Sequence, residues 1–181
     1  MTRFYSTKQN QINPYAQFLL NKSKLSAAVK VGANIYNQDN FGIFKSTDYN
    51  SIQNKTLPNL EGNIRYQSGN NSLSLQYNYQ TSLASSSQVL PILDETDPLD
   101  VYKGNPDLDP NKAHNINLMF SNFDRKTRQG FNTFLSYTYN ESSIVNFTDM
   151  DYISYKRTTT YENIKGNYRL SGNFSFNKQY Q

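Results

Sequence analysis

The chain has 181 residues, a formal net charge of +4 and a mean hydropathy of -0.78. It has no cysteine, which excludes a disulfide scaffold and thiol chemistry. No segment approaches the roughly 20 apolar residues of a membrane-spanning helix. Basic residues are scattered, with no basic run longer than Lys156-Arg157, so we expect no nucleic-acid partner.

Alternation of apolar and polar side chains predicts β-strands along most of the chain. Residues 72–81 show it most clearly, since Leu73, Leu75, Tyr77 and Tyr79 fall on one face and uncharged polar residues on the other. Ten residues at about 3.3 Å each, tilted by about 45°, span roughly 23 Å. This is close to the ~25 Å apolar band of an outer-membrane barrel. The pattern therefore predicts membrane-spanning strands.

We predict about seven strands in chain order. Their approximate bounds are 12–20, 25–37, 58–67, 72–81, 112–123, 130–147 and a last strand ending at 177. Short turns at 21–24, 68–71 and 124–129 alternate with longer connections at 38–57, 82–111 and a tip near 148–152. This asymmetry is typical of a barrel with brief periplasmic turns and long extracellular loops.

The fold class that follows is all-β: an antiparallel up-and-down meander forming a partial transmembrane β-barrel. The residues expected to face outward are Leu73, Leu75, Ile116, Leu118, Leu170, Phe174 and Phe176. Those expected on the opposite face are Ser74, Gln76, Asn117, Arg169 and Asn173. An odd strand number does not close a bacterial single-chain barrel, and no leader pattern opens the chain. We therefore expect residues 1–181 to be one partial barrel domain, without signal peptide, plug or remaining strands.

A proline-rich segment precedes the fifth predicted strand. It contains Asp97-Pro98 and then the motif of residues 104–110, GNPDLDP. This motif resembles the segment that enters a barrel strand in TonB-dependent outer-membrane receptors, and is most similar to the outer-membrane β-barrel family of Bacteroidota. The motif residues are Gly104, Asn105, Pro106, Asp107, Leu108 and Pro110. From the residues alone, we interpret it as loop-to-strand architecture with Leu108 against the barrel rim, rather than as a binding site.

The resemblance implies an outer-membrane location in a Gram-negative cell and uptake of a scarce nutrient such as a siderophore, glycan or peptide. Its implied partners are outer-membrane lipid, a plug domain, the remaining strands, and TonB-type energy coupling through an N-terminal part. The alternative from another class is a non-transporting structural or adhesive module. Such a module would be a small complete barrel or a soluble sandwich that binds carbohydrate.

Extracellular loops carry specificity on a rigid scaffold. The aromatic residues available there for ligand contact are Phe41, Phe44, Tyr49, Tyr102 and Tyr152. On the polar strand faces, Lys30, Arg65 and Arg169 are candidates to line the lumen.

The sequence gives no sign of enzymatic chemistry. The single histidine, His114, begins a predicted strand, and no nucleophile elbow accompanies it. The acidic residues of segment 94–109 match no calcium-loop spacing, so whether that loop binds calcium stays open. We expect no catalytic residue, no metal site and no cofactor.

Overall fold

The computed structural model describes residues 3–179 and is almost entirely β-sheet. The elements in chain order are β1 (Phe4–Ile12), β2 (Tyr15–Lys22), β3 (Leu25–Phe44), β4 (Thr47–Ser68), β5 (Asn71–Ser82), α1 (Ser86–Val89), β6 (Leu93–Asp97), β7 (Asp100–Lys103), β8 (Asn111–Asp124), β9 (Gln129–Met150), β10 (Arg157–Ile164) and β11 (Asn167–Lys178).

The main sheet is an antiparallel meander with seven positions, which confirms the predicted fold class. β1 and β2 pair with successive halves of β3, and the interruption between them falls at Pro14, whose carbonyl still accepts a bond from the Ala33 N–H at 3.0 Å. β10 and β11 likewise pair with successive halves of β9, on either side of Gly166. β4, β5 and β8 lie between these two hairpins. Within residues 3–179 the two sheet edges do not pair with each other, so the sheet is open.

The register separates the side chains into two faces, as predicted. One row of paired residues, on the apolar face, is Val29, Gly62, Tyr77, Ile116, Tyr137 and Leu170. The adjacent row, on the polar face, is Lys30, Glu61, Asn78, Asn115, Thr138 and Arg169. All the residues predicted to face outward share the first face, and those predicted opposite share the second.

The predicted loop over 38–57 is wrong. β3 and β4 continue through it, and they are joined by a two-residue turn at Lys45 and Ser46, whose φ values are 49° and 62°. Positive φ at both central residues is the turn that matches strand twist, usually marked by Asn or Gly. Here Lys and Ser occupy it, so the usual signal was missing. The predicted alternation of short and long connections therefore fails at this hairpin.

The segment 83–110 folds onto the polar face at one end of the sheet, hereafter the loop end. The chain leaves β5 and crosses to β3, where Gln38 Nε2 donates to the Ala84 carbonyl at 2.6 Å. The segment builds a small apolar core from Phe44, Ala84, Val89, Leu90, Ile92 and Leu108. This core explains why strands with polar sequences persist there, since their polar-face side chains pack against the segment instead of water.

Two further details differ from the predicted meander. β7 pairs with β10 in parallel over three residue pairs, from Arg157 opposite Asp100 to Thr159 opposite Tyr102. The tip lies at 151–156 rather than near 148–152, because β9 extends to Met150. Every pairing between the seven meander positions is antiparallel, so the parallel contact belongs to the folded-in segment alone.

Candidate functional site

The apolar face carries aromatic rings at two levels. At the level nearer the loop end, the His114 ring lies 4.7 Å from the Tyr79 ring and 6.0 Å from the Tyr139 ring, centroid to centroid. At the other level, the Phe131 ring lies 5.3 Å from Phe120 and 5.0 Å from Phe174. Two aromatic girdles flanking an apolar band are typical of outer-membrane strands.

Between the two aromatic levels, the row next to the Phe120 level is aliphatic, and the row next to the His114 level combines aliphatic side chains with Tyr77 and Tyr137. Ile64, Leu75, Leu118 and Leu135 form one continuous cross-strand row there. Leu75 is 38% exposed and Ile64 47% exposed although both lie mid-strand. Monomeric soluble domains rarely expose a contiguous apolar row of this kind, which marks a surface that contacts lipid or a partner.

Separately, none of the helices in residues 3–179 has the length and apolar character needed to cross a membrane.

Polar groups border the loop-side aromatic level. The Tyr79 hydroxyl donates to Glu141 Oε2 at 2.9 Å, and Lys112 Nζ lies 3.5 Å from Glu141 Oε1. The hydroxyl of Tyr77 and Nδ1 of His114 are 3.0 Å apart. Tyrosine, histidine and a paired charge at one height suit the boundary between hydrocarbon and headgroups, where rings with one polar end are favoured.

The opposite face is lined with amides and a few charges. Lys30 Nζ forms an ion pair with Glu61 Oε1 at 2.9 Å and lies 4.6 Å from the centre of the Tyr15 ring. Arg65 lies between Ser26 and Ser74 in the register, and the exposed Arg169 lies opposite Thr138. The three predicted lumen candidates therefore share this face.

A recess of about 410 Å³ opens on the polar face near the Lys30–Glu61 pair. Its lining is almost entirely carboxamide and hydroxyl groups, from Gln11, Asn13, Asn34, Tyr36, Asn59, Asn78, Gln80 and Thr81. Three buried members are bonded to one another, since Asn34 Nδ2 donates to Thr81 Oγ1 at 3.2 Å and the Tyr36 hydroxyl donates to the Thr81 carbonyl at 3.0 Å. No single residue of this network stands out in sequence, because amides recur along every strand.

The GNPDLDP motif fixes the folded-in segment to β10. Asn105 Nδ2 donates to the Tyr161 carbonyl at 2.8 Å, and the Asp109 N–H donates to Asn163 Oδ1 at 2.9 Å. Gly104 packs so closely that a Cβ there would lie 1.7 Å from the Leu90 carbonyl oxygen. Leu108 is buried in the apolar core. Sequence reasoning missed Asn163, whose spacing from the motif gives no signal before folding.

The aromatic loop candidates are in different environments. Phe44 is only 3% exposed within the core, so the expectation that it faces a ligand is wrong. Tyr49 packs partly against the same core. Phe41 makes an edge contact with the Phe4 ring at 6.3 Å. Tyr102 is exposed on β7, and Tyr152 is 79% exposed at the tip.

The acidic residues of segment 94–109 are spread among separate partners. Asp94 is buried, and Thr96 and Arg3 hold it; burial favours a higher pKa, but the hydrogen bonds from Thr96 and the Arg3 charge lower the Asp94 pKa overall. A two-pronged hydrogen bond joins Asp100 to Arg157 and lowers the Asp100 pKa. Within residues 3–179, no three histidine or carboxylate side chains converge on a common point.

Comparisons with known proteins agree with the two-faced sheet. The model of the Outer membrane protein beta-barrel family matches residues 5–181, which is nearly the whole chain. Neither the characterised proteins nor the solved structures gave a match. Since the family match covers well over half of the sequence, the location it carries, the outer membrane, applies to this protein. The chain belongs to the outer membrane protein beta-barrel family.

Proposed function

We propose that this chain forms part of the barrel wall of a TonB-dependent receptor that takes up a scarce nutrient, such as a siderophore, glycan or peptide. The apolar face contacts outer-membrane lipid and the polar face lines the lumen. The loop end, with the folded-in segment 83–110, faces the outside of the cell. The protein acts by binding and passage, without catalysis.

The observation that carries this proposal is the chemistry of the polar face. It runs unbroken across the meander positions and presents amides, hydroxyls and the charges Lys30, Glu61, Arg65 and Arg169. A small barrel fills its interior with its own side chains, whereas larger barrels enclose a channel or a plugged lumen. Seven positions with a wet, recessed inner face support a wall segment of a large barrel.

Further strands and a plug complete this arrangement. Strand edges cannot face hydrocarbon unpaired, since each unsatisfied backbone group there costs several kcal/mol. We therefore infer that β2 and β11, whose residues are exposed at the sheet edges, pair with additional strands. Energy coupling through a TonB-type partner would act on a plug rather than on this wall.

The test is uptake by cells that carry or lack the gene. We expect deletion to abolish energy-dependent accumulation of one class of scarce nutrient, and a protonophore to abolish it in the parent strain. The matched variant is Lys30→Ala, which changes the polar face of the membrane-spanning region and should alter uptake with normal protein level. Unchanged accumulation of siderophores, oligosaccharides and peptides in the deletion strain would instead favour a structural or adhesive role.

A further inference from the structure

The loop-end half of β4 has one unpaired edge. β4 pairs with β3 along Thr47–Tyr66 but with β5 only from Leu60 to Ser68. Ser68 and Asn71 close a two-residue turn and therefore form a hydrogen-bonded pair. Hydrogen-bonded pairs recur at every second residue of an antiparallel ladder, so the even-numbered residues of β4 direct their backbone N–H and C=O groups toward β5. Beyond Leu60 toward Thr47, no strand among residues 3–179 pairs with β4 on the side to which its even-numbered residues direct these groups. Their free N–H and C=O groups belong to Asp48, Asn50, Ile52, Asn54 and Thr56.

The path of the chain explains why this edge is open. β5 ends at Ser82, and the chain then crosses the polar face toward β3 instead of continuing beside β4. Pro58, which has no N–H, occupies the point where the two strands separate. In the part of the chain that the structure describes, no backbone hydrogen bond from outside the sheet reaches residues 47–59.

A recess runs along this edge. It measures about 500 Å³ and lies between residues 51–55 of β4 and residues 106–109 of the motif. The carboxylates of Asp107 and Asp109 are on the motif wall and exposed, and Lys55 is on the strand wall. The Asp107 N–H donates to Asn105 Oδ1 within the motif, and the Asp109 N–H donates to Asn163 Oδ1 on β10, so these bonds use backbone atoms and not the carboxylates.

We propose that the open edge of β4 binds an extended peptide by strand addition. The peptide backbone would pair with the even-numbered residues from Asp48 to Thr56, and its side chains on one side would occupy the recess. An unpaired strand edge is a template for another backbone, and main-chain bonds of this kind supply affinity while flanking pockets select side chains. Asp107 and Asp109 favour lysine or arginine there.

This inference rests on the proposed function for the orientation of the loop end, and it specifies the ligand class as a peptide rather than a siderophore or glycan. It also gives the motif wall a role in selecting side chains, which its anchoring bonds to Asn163 and Tyr161 do not require.

The binding test uses the purified full-length protein in lipid nanodiscs. The probe is a fluorescent peptide of about seven residues, Thr-Lys-Val-Lys-Thr-Lys-Val, and its control is the same peptide N-methylated at alternate residues on the pairing side. Both carry the same side chains, but the control lacks the backbone donors. We expect methylation to weaken binding by roughly tenfold or more, because several hydrogen bonds are lost at once. Equal binding of the two peptides, or no binding of the unmodified one, would overturn the proposal.

A pair of variants tests the site itself. Asn54→Pro removes the backbone N–H of one residue at the open edge. This N–H does not bond β3, and proline is tolerated at strand edges. The control variant Asn54→Ala keeps the N–H. We expect the proline variant to bind at least about fivefold more weakly than the alanine variant. The double variant Asp107→Asn with Asp109→Asn should weaken the lysine peptide but not a Thr/Val peptide of equal length. Proline and alanine variants of equal affinity would contradict strand addition.

Hydrogen exchange on the unmodified protein provides an independent measurement. Bound peptide should slow exchange at Asn50, Ile52 and Asn54, while Gln53, already bonded to β3, should change little. Unchanged exchange at the even-numbered positions would reject the proposal even if Asn54→Pro fails to fold. Binding in nanodiscs requires no energy source, so it is measured independently of uptake by cells. Peptide binding in nanodiscs without uptake by cells would count against the transport function alone. Uptake of another nutrient by cells without peptide binding in nanodiscs would count against this site alone.

Discussion

Replacing Leu118 with arginine tests whether the apolar face contacts lipid. Leu118 pairs with Leu75 on one side and Leu135 on the other, so its side chain is surrounded by aliphatic groups. Along β8 it is four residues from His114 and two from Phe120, the two aromatic levels. At about 3.3 Å per residue and a tilt near 40°, these levels lie about 10 Å and about 5 Å away.

The expected cost follows from that depth. An arginine on the lipid face costs about 2–4 kcal/mol at the bilayer midplane and about 0–1 kcal/mol near the interfaces. Leu118 lies inside the band but off its centre, so we expect Leu118→Arg to destabilise by about 2–3 kcal/mol. Leu73→Arg, at the level of Phe120 and about 5 Å nearer that edge of the band, should cost less than Leu118→Arg.

The assay is reversible urea unfolding of the protein in lipid vesicles. Unfolding is followed by circular dichroism, because the chain has no tryptophan for fluorescence. The matched control is Asn117→Arg, one residue away on the polar face beside Gln76 and Ser136. We expect that variant to stay within about 0.5 kcal/mol of the parent protein. Equal costs at Leu118 and Asn117, or no difference between Leu118 and Leu73, would refute a lipid-facing band.

Three further outcomes concern the folded-in segment. Gly104→Ala should destabilise by about 1–3 kcal/mol in the same unfolding assay, because its Cβ would overlap a backbone carbonyl; Gly62→Ala, with room for a Cβ, is the control, and equal costs would contradict the tight packing. Leu108→Ala should cost about 2–5 kcal/mol locally and expose segment 83–110 to protease, whereas an unchanged cleavage rate would argue against the core. The ion pair of Asp100 with Arg157 lowers the Asp100 pKa. The stabilisation that the pair gives the folded state is therefore present at pH values above the ordinary pKa of 3.8 and is lost as the pH falls through the lower folded pKa. Amide exchange in β7 should become faster as the pH falls through this range. The change should be absent in the Asp100→Asn variant.

The sequence determined the strands and their faces because both depend on local alternation. In residues 72–81, each apolar side chain follows a polar one. Because successive side chains of a strand point to opposite faces, this period of two places all the apolar side chains on one face. Leu73 and Leu75 could therefore be assigned to the outer face before any partner strand was known. The short turn at Gly69 was equally local, since glycine at positive φ marks it.

The strand extension through 38–57 depended on tertiary structure. Residues such as Gln38 and Asn40 disfavour strands or mark turns when read locally. They hold strand geometry because segment 83–110 packs on their polar face and supplies partners such as the Ala84 carbonyl. Only folding decides that such a distant segment arrives there.

Tertiary structure also decided which loop residues are available to a ligand. Phe44 and Tyr152 look alike in sequence, since each lies beside an isoleucine in an otherwise largely polar stretch, yet the first lies in the core and the second is exposed at the tip. The open edge of β4 has the same origin, since a strand edge is free only when its neighbour leaves, and β5 leaves at Ser82. Periodicity fixes which way each side chain points along a strand, whereas packing between distant segments fixes what each side chain and each strand edge meets.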